Sequence, residues 1–246
     1  MNELQYRVNF FVQLLQTGVA LTTGLVGLWL VFNQTTTLGG WSSAELLAVM
    51  GVYTIMGGVV SAVIQPNMEK LMDDIQRGNL DFLLTKPEDP QLLISVRTVA
   101  IWQFVNVIAG LIVLVIALAR LDRQIGLGHA LAFVWLLVVG GVMIYCFWLI
   151  LTTAAFWVVR IDEMANLFQG VFAAGRYPVG IYPGWLKNGL TFLVPVAFAV
   201  TVPSEALTGR LDWQTAIGAT VLSCFLAVAS RLLWRIGLRR YSGASA

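Results

Sequence analysis

Charged residues are scarce in this chain, and that scarcity is the first constraint on its fold. Only 11% of the 246 residues are Asp, Glu, Lys or Arg, whereas 58% are hydrophobic. Soluble domains carry about 25% charged residues, and disordered chains need many polar residues to stay solvated. The sequence therefore excludes both classes and predicts an all-α integral membrane protein.

Residues that perform bond chemistry are equally rare. The chain has one histidine, His129, and two cysteines, Cys146 and Cys224, each within an apolar run. Neither a His/Glu nor a Ser/His pair is available for hydrolysis in the membrane, and the G-x-x-x-x-G-K-[ST] phosphate loop is missing. We therefore expect no catalytic residue, no metal site and no cofactor bound by this chain.

Two further absences narrow the possible partners. No long basic run accompanies the net charge of +2, which argues against nucleic acid as a partner. No charged residue lies deep within a predicted span, whereas ion-coupled transporters and proton relays usually need one there. A stand-alone secondary transporter is therefore disfavoured, and membrane lipid is the surrounding that the composition predicts.

Long apolar runs are abundant, and hydropathy divides the chain into membrane spans. A span needs roughly 20 residues; five runs meet this length, and segments 163–177 and 189–202 are shorter. Lys and Arg concentrate in loop 66–91 and at the C-terminus, which predicts that this loop and both termini are cytoplasmic. Two cytoplasmic termini require an even number of crossings, so only one of the shorter segments crosses. The long runs are residues 8–32, 44–64, 98–119, 130–158 and 213–234.

Prolines cluster around the shorter segments. Pro178, Pro183, Pro195 and Pro203 lie within 26 residues of one another, together with several glycines. Broken backbone at membrane depth is tolerated only where protein or a cavity covers it. This stretch is therefore either a re-entrant segment with a function or a proline-rich surface loop with a kinked helix.

The spacing in loop 66–91 predicts a short amphipathic helix. Four apolar residues recur at helical intervals and form one stripe, while acidic and basic residues occupy the opposite face. Pro66 favours the start of this helix and Gly78 its end. Such a helix either docks in a groove of a partner protein or rests on the membrane surface. The stripe consists of Met68, Leu71, Met72 and Ile75.

Amide side chains recur at helical spacing in three apolar segments. Because an amide that faces lipid is unfavourable, these faces are expected to turn towards the protein interior. They either line a translocation path or a subunit seam, or they join helices within one subunit. Gly57, Gly58, Ser61 and Ala62 form small-x-x-x-small pairs, which predict helix packing. The amides are Asn9, Gln13 and Gln16 in the first run, Gln103 and Asn106 in the third, and Asn166 and Gln169 in segment 163–177.

Two stretches of the chain resemble a known family. The run GNLDFLLTKP at residues 78–87 resembles the cytoplasmic signature G-x-L-D-x-L-L-x-[KR]-P of a subgroup of ABC-2 family exporter permeases. Residues 176–209 are similar to the outer segment of that subgroup, where an aromatic-Pro turn precedes a Phe-x-x-Pro helix and a further proline. The two stretches lie in the right order, and the span layout agrees over nearly the whole chain.

The resemblance implies a fold of six transmembrane helices in one permease domain, residues 1–246. Segment 163–177 would be the fifth span, and residues 178–203 would form an outer re-entrant segment that follows Tyr177. Residues 67–77 would form the coupling helix that docks on ATPase subunits. Asp81 and Phe82 would lie beside that helix at the docking surface.

The resemblance also implies partners. Two ABC ATPase subunits would bind ATP and Mg, and a second permease, identical or related, would complete the translocation path. The substrate class would be a hydrophobic or amphipathic compound, a lipid or a glycan, exported across a bacterial inner membrane. The alternatives to this function are a membrane scaffold or assembly factor and a passive channel.

Overall fold

A computed structural model describes residues 3–81, 85–121, 125–156 and 164–240. Over these ranges the chain forms helices joined by turns, without a β-strand, which confirms the predicted all-α membrane fold. In chain order the helices are α1 (Glu3–Phe32), α2 (Ser43–Gln76), α3 (Pro90–Ser95), α4 (Ile101–Arg120), α5 (Leu127–Thr153), α6 (Met164–Ala173), α7 (Gly184–Leu193), α8 (Ala197–Thr208) and α9 (Trp213–Arg240).

Five of these helices, α1, α2, α4, α5 and α9, are long and apolar enough to cross a membrane. Helices α7 and α8 meet at 79°, and as one bent pair they give a sixth candidate. The predicted fifth span, 163–177, contains α6 and a 3-10 turn that ends at Arg176. Residues 157–163 lie outside the described ranges, so the full length of that span stays a prediction.

Helix α2 corrects the expectation of a separate helix in loop 66–91. It runs without interruption for 34 residues, and the amphipathic segment is its last part, here called the α2 extension (Gln65–Gln76). At 1.5 Å per residue the whole helix is about 51 Å long. Because the hydrocarbon core is only about 30 Å thick, the α2 extension projects beyond the membrane as a rigid continuation of a span.

Pro66 does not end α2. Proline has no N–H and cannot donate a hydrogen bond to the carbonyl four residues earlier, but another N–H donates to that carbonyl instead. That carbonyl belongs to Ala62, and it accepts the N–H of Ala100 at 2.8 Å. The π-helical turn Val60–Ile64 precedes the proline, and such turns are a common cause of a local change in helix geometry.

Glycines bring α2 and α4 into backbone contact. A Cβ atom on Gly110 would lie 2.7 Å from the backbone nitrogen of Ile55. A Cβ atom on Gly51 would lie 2.9 Å from the backbone nitrogen of Leu114. Only a residue without a side chain permits this separation, so the two glycines set the distance between the helices.

The break between α7 and α8 and most of α8 lie in the protein interior, whereas α7 is mostly exposed. Pro195 sits at the break, and Val196, Ala199 and Val200 beside it are fully buried. Their position satisfies the rule that irregular backbone at membrane depth must be covered by protein. Of the other residues predicted for this segment, Tyr177 and Pro178 follow the turn after α6, Pro183 directly precedes α7, and Pro203 begins the α-helical part of α8.

Candidate functional site

A cavity of about 380 Å³ lies between α1, α2, the start of α4 and α6. Its size is within the range of small-molecule sites. Its wall is part apolar and part polar, and all but one of its polar side chains are neutral. Five of the seven predicted amides meet there, although they come from three separate parts of the sequence: Gln13, Gln16, Gln103, Asn106 and Gln169.

Hydrogen bonds connect the amides of α1 and α4 across the helix interface. Thr17 donates its hydroxyl hydrogen to Asn106 Oδ1 at 2.5 Å, and Gln13 Nε2 donates to the same oxygen at 3.4 Å. Asn106 Nδ2 in turn donates to Gln103 Oε1 at 2.8 Å. These bonds hold α1, which is otherwise largely exposed, against the start of α4.

The other two predicted amides do not reach this wall. Asn9 is half-buried on α1 and is not among the lining residues of the cavity. The side chain of Asn166 lies outside the described part of the structure. Gly58 lies close to Val107, as expected for helix packing, and Gly57, Gly58 and Ser61 also line the cavity.

Helix α2 contributes a polar stripe that the sequence analysis missed. Tyr53, Gly57, Ser61 and Gln65 follow one another at intervals of four residues, and all four line the cavity. Residues four apart lie on one face of a helix, so this spacing was the available signal. Gln65 extends the amide network, because its Oε1 accepts from Gln169 Nε2 at 3.3 Å.

Aromatic rings cover the side of the cavity next to α6. Tyr53 and Phe172 are stacked with ring centres 5.3 Å apart, and Phe168 and Phe172 are stacked at 5.6 Å. Arg176 also lines the cavity, and its guanidinium carbon lies 5.8 Å from the centre of the Tyr53 ring. The cavity thus combines amides, aromatic faces and one cation, which suits a ligand with both polar and apolar parts.

The α2 extension turns its apolar stripe inwards. Met68, Leu71, Met72 and Ile75 are each 8% exposed or less, because the extension packs against α3 and α5. The four side chains that the sequence suggested as partner contacts are therefore covered within this chain. The face left to solvent carries Glu69, Lys70, Asp73, Gln76 and Arg77.

Two buried polar groups fasten the α2 extension to the segment that leads into α4. Asn67 is 1% exposed, and it exchanges hydrogen bonds of 2.8 Å with the backbone of Thr98. Asp74 forms an ion pair with Arg97. Asp81, the other predicted contact in this region, is half-buried, and Phe82 lies outside the described residues.

A third tie joins α3 to the last helix. Asp89 accepts two hydrogen bonds from Arg231, one of them 3.0 Å long. The hydrogen bond from Arg231 lowers the pKa of the Asp89 carboxyl below its ordinary value. Gln91 Nε2 donates to the Tyr145 hydroxyl at 3.1 Å. The segment after the α2 extension is therefore held by α5 and α9 together.

The opposite end of α2 is held by a bidentate ion pair. Arg210 donates from Nε and Nη2 to the two carboxylate oxygens of Glu45 at 2.7 and 2.9 Å. It also donates to Gly40 O at 2.7 Å, and its guanidinium carbon lies 4.9 Å from the centre of the Trp41 ring. The hydrogen bonds to Glu45 raise the pKa of Arg210 above its ordinary value. The pair links α2 to the connection between α8 and α9.

Groups suited to a metal ion are missing from the described ranges. No set of three or more His, Cys, Asp or Glu side chains comes together there. The chemistry that the site can perform is therefore recognition by hydrogen bonds, aromatic faces and one positive charge.

Comparison with known proteins adds one positive finding. A family model described as ABC-2 family transporter protein matches residues 19–245. None of the curated proteins matches the chain, and no solved structure matches it. The family match covers nearly the whole sequence and agrees with the multi-pass helical fold. The chain therefore belongs to the ABC-2 family of transporter proteins.

Proposed function

We propose that this chain is the permease subunit of an ATP-driven exporter. It forms half of a translocation path for an amphipathic or hydrophobic substrate, and separate ATPase subunits bind ATP and Mg. One observation carries the proposal: a single helix, α2, lines the cavity with its middle and is, at 34 residues, longer than a membrane crossing needs. A push on the projecting end would therefore move the wall of the cavity.

The side on which the ATPases dock follows from the distribution of basic residues. Lys70, Arg77 and Arg97 lie on or next to the α2 extension, and four arginines lie between 231 and 240. Basic residues accumulate on the cytoplasmic side of membrane proteins. The α2 extension is therefore assigned to the cytoplasm, together with both termini, and the membrane is assigned as the bacterial inner membrane.

The solvent-exposed face of the α2 extension is the proposed docking surface. It carries two acidic and two basic side chains together with Gln76, and charge patterns of this kind favour one partner over others. The buried apolar stripe has a different role, because it fixes the extension to α3 and α5. A force on the exposed face is then transmitted to the body of the permease instead of bending a loose loop.

The ion pair between Glu45 and Arg210 would transmit a tilt of α2 to the opposite membrane face. A rigid helix that tilts about its middle displaces both ends. Glu45 would carry Arg210 with it, and Arg210 adjoins the broken pair α7–α8. Small shifts of packed elements are amplified because such elements switch between discrete arrangements. Movement of α7–α8 would open the cavity towards the outside.

A second permease, identical or related, is proposed to cover the exposed side of α1. Only 11% of the most apolar part of this helix is buried, and the cavity is partly open beside it. A second copy placed there would close the cavity and double its amides. Lipid would cover the remaining surface.

Native mass spectrometry of the tagged chain, purified in mild detergent from its own host, tests this proposal. We expect a complex of two permeases and two ATPase subunits, and the masses show whether the permeases are identical. A lone chain or a homo-oligomer without an ATPase after gentle extraction would instead support a scaffold or a channel. In the complex, Gln13→Leu should reduce transport more than expression, whereas an equal loss of both would assign the amides to packing.

A further inference from the structure

Arg176 is the one charged residue among the described residues that line the cavity. It ends the 3-10 turn Ala174–Arg176 that continues α6, and its half-buried side chain lines the cavity. Its guanidinium carbon is 5.8 Å from the centre of the Tyr53 ring. A cation over an aromatic face is attracted by the quadrupole of the ring. Tyr53 therefore marks the level of Arg176 along α2.

Tyr53 lies on α2, one of the helices that are long and apolar enough to cross a membrane. It follows Ser43, the first residue of the helix, by ten positions, which is about 15 Å of helix. A span needs about 20 residues, so Tyr53 belongs to the part of α2 that can lie in the membrane, and the Arg176 guanidinium lies beside the Tyr53 ring. The sequence pattern assigned Arg176 to the outer segment, and the structure places its side chain at the wall of the cavity.

The cavity provides no negative charge for this arginine. Among the residues that the structure describes, those lining the cavity include neither Asp nor Glu. None of the ion pairs formed within the described ranges involves Arg176. Ionisable side chains within the membrane are costly, and those that persist mark substrate or ion pathways. The cavity thus holds one formal positive charge among neutral amides.

We infer that Arg176 binds the anionic headgroup of an amphiphilic substrate. The inference rests on the proposed function, because it treats the cavity as half of the translocation path. A guanidinium group donates two parallel hydrogen bonds to a phosphate or carboxylate. The amides of Gln103 and Gln169 are placed to bind other polar groups of the head, and the rings of Phe168 and Phe172 are placed to contact its apolar part.

Binding of single-chain lipids to the full chain in phosphatidylcholine nanodiscs tests the inference. The probes are lysophosphatidylglycerol, which is anionic, lysophosphatidylcholine, which is zwitterionic, and inorganic phosphate, which has no chain. Native mass spectrometry counts the bound molecules and gives their affinities. The variants are Arg176→Gln and the conservative Arg176→Lys, and Lys187→Gln removes an exposed basic residue outside the cavity as the matched control.

We expect the unaltered chain to bind the anionic lipid at least about tenfold more tightly than the zwitterionic one, as one charged hydrogen bond allows. Arg176→Gln should abolish that preference, Arg176→Lys should keep part of it, and Lys187→Gln should keep all of it. The inference is overturned by equal affinities in the unaltered chain, by weak binding of both lipids, or by an unchanged preference in Arg176→Gln. Full displacement of the lipid by inorganic phosphate at equal concentration would show that the apolar part is irrelevant.

The outcome is separable from that of the proposed function. If two ATPase subunits co-purify but the charge preference is missing, the permease assignment stands and the role of Arg176 is wrong. If the preference is present and no ATPase co-purifies, the cavity binds anionic amphiphiles in a protein of another function. Equal thermal midpoints of Arg176→Gln and Arg176→Lys would exclude misfolding as the cause of a difference between them. A loss of binding in Arg176→Gln alone would then be due to the loss of the positive charge.

Discussion

Asn67 and Thr98 exchange two hydrogen bonds of 2.8 Å, in which the amide of Asn67 acts once as donor and once as acceptor. The two residues are 31 positions apart, on either side of the loop that follows the α2 extension. Thr98 lies outside any helix, so its backbone N–H and C=O have no helical hydrogen-bond partners, and the amide of Asn67 takes their place. It therefore acts as a brace between the projecting end of α2 and the start of α4.

Replacement of Asn67 by Leu tests the brace. The volume is similar, but the backbone groups of Thr98 lose a buried partner, at a cost of about 1–3 kcal/mol for each unsatisfied group. We expect a clearly lower thermal midpoint of the purified chain. The control is Asn188→Leu at an exposed position, which should leave the midpoint nearly unchanged. Equal midpoints for both variants would contradict the structural role of Asn67.

The ion pair between Glu45 and Arg210 can be measured by a double-mutant cycle. Its side chains are 12% and 38% exposed, so screening is incomplete and a coupling of about 1–3 kcal/mol is expected for the bidentate pair. The variants are Glu45→Gln, Arg210→Gln and both together, compared by thermal unfolding. The exposed pair Asp73–Arg77 is the control, with about 0.5 kcal/mol or less. Additive single effects at Glu45 and Arg210 would show that the pair contributes nothing.

The contact between α2 and α4 predicts sensitivity at Gly110. An added methyl group would meet the backbone of Ile55 at 2.7 Å, and backbone cannot move aside as a side chain can. Gly110→Ala should therefore destabilise the chain by about 1–3 kcal/mol. Gly141→Ala is the matched control, since nothing lies within 4 Å of its Cβ position. A Gly110→Ala variant with an unchanged thermal midpoint would show that the helices are further apart.

Charge reversal on the α2 extension tests the docking surface. Glu69→Lys and Asp73→Lys alter exposed carboxylates, so they should leave the thermal midpoint of the permease unchanged. They should reduce co-purification of the ATPase roughly tenfold or more, because like charges at an interface are strongly unfavourable. The control is Glu88→Lys, an exposed carboxylate after the extension. Full retention of the ATPase by both extension variants would place the docking surface elsewhere.

The tie between Asp89 and Arg231 predicts a pH dependence of stability. The pKa of Asp89 is lowered from 3.8 by the hydrogen bond from Arg231, so the ionised form is favoured in the fold. The stabilisation is complete above the ordinary pKa and is lost as the pH falls through the lowered one. Thermal midpoints recorded from about pH 6 to about pH 3 should fall less steeply in Asp89→Asn than in the unaltered chain. Parallel curves would exclude this linkage.

Spacing in the sequence predicted which faces of the helices are polar but not what they face. The amides Gln13 and Asn106 lie 93 positions apart, so only packing could bring them to one cavity. The stripe of the α2 extension was recognised as apolar, but its spacing did not show that Leu71 and Ile75 are covered within the chain itself. An apolar helix face must be shielded from water. The sequence does not show whether the residues that shield it belong to the same chain or to a partner.

The sequence by itself determined that this is a helical membrane protein, and nearly where its long spans lie. These properties are local, because the length of an apolar run and the need to satisfy its backbone in lipid do not depend on distant residues. Only the tertiary structure decided the partner of Glu45, which is Arg210 at a separation of 165 positions, and the position of Arg176 at the cavity. Such pairings depend on how the helices pack, and packing of apolar surfaces is set by the fit of many distant side chains together rather than by any local pattern.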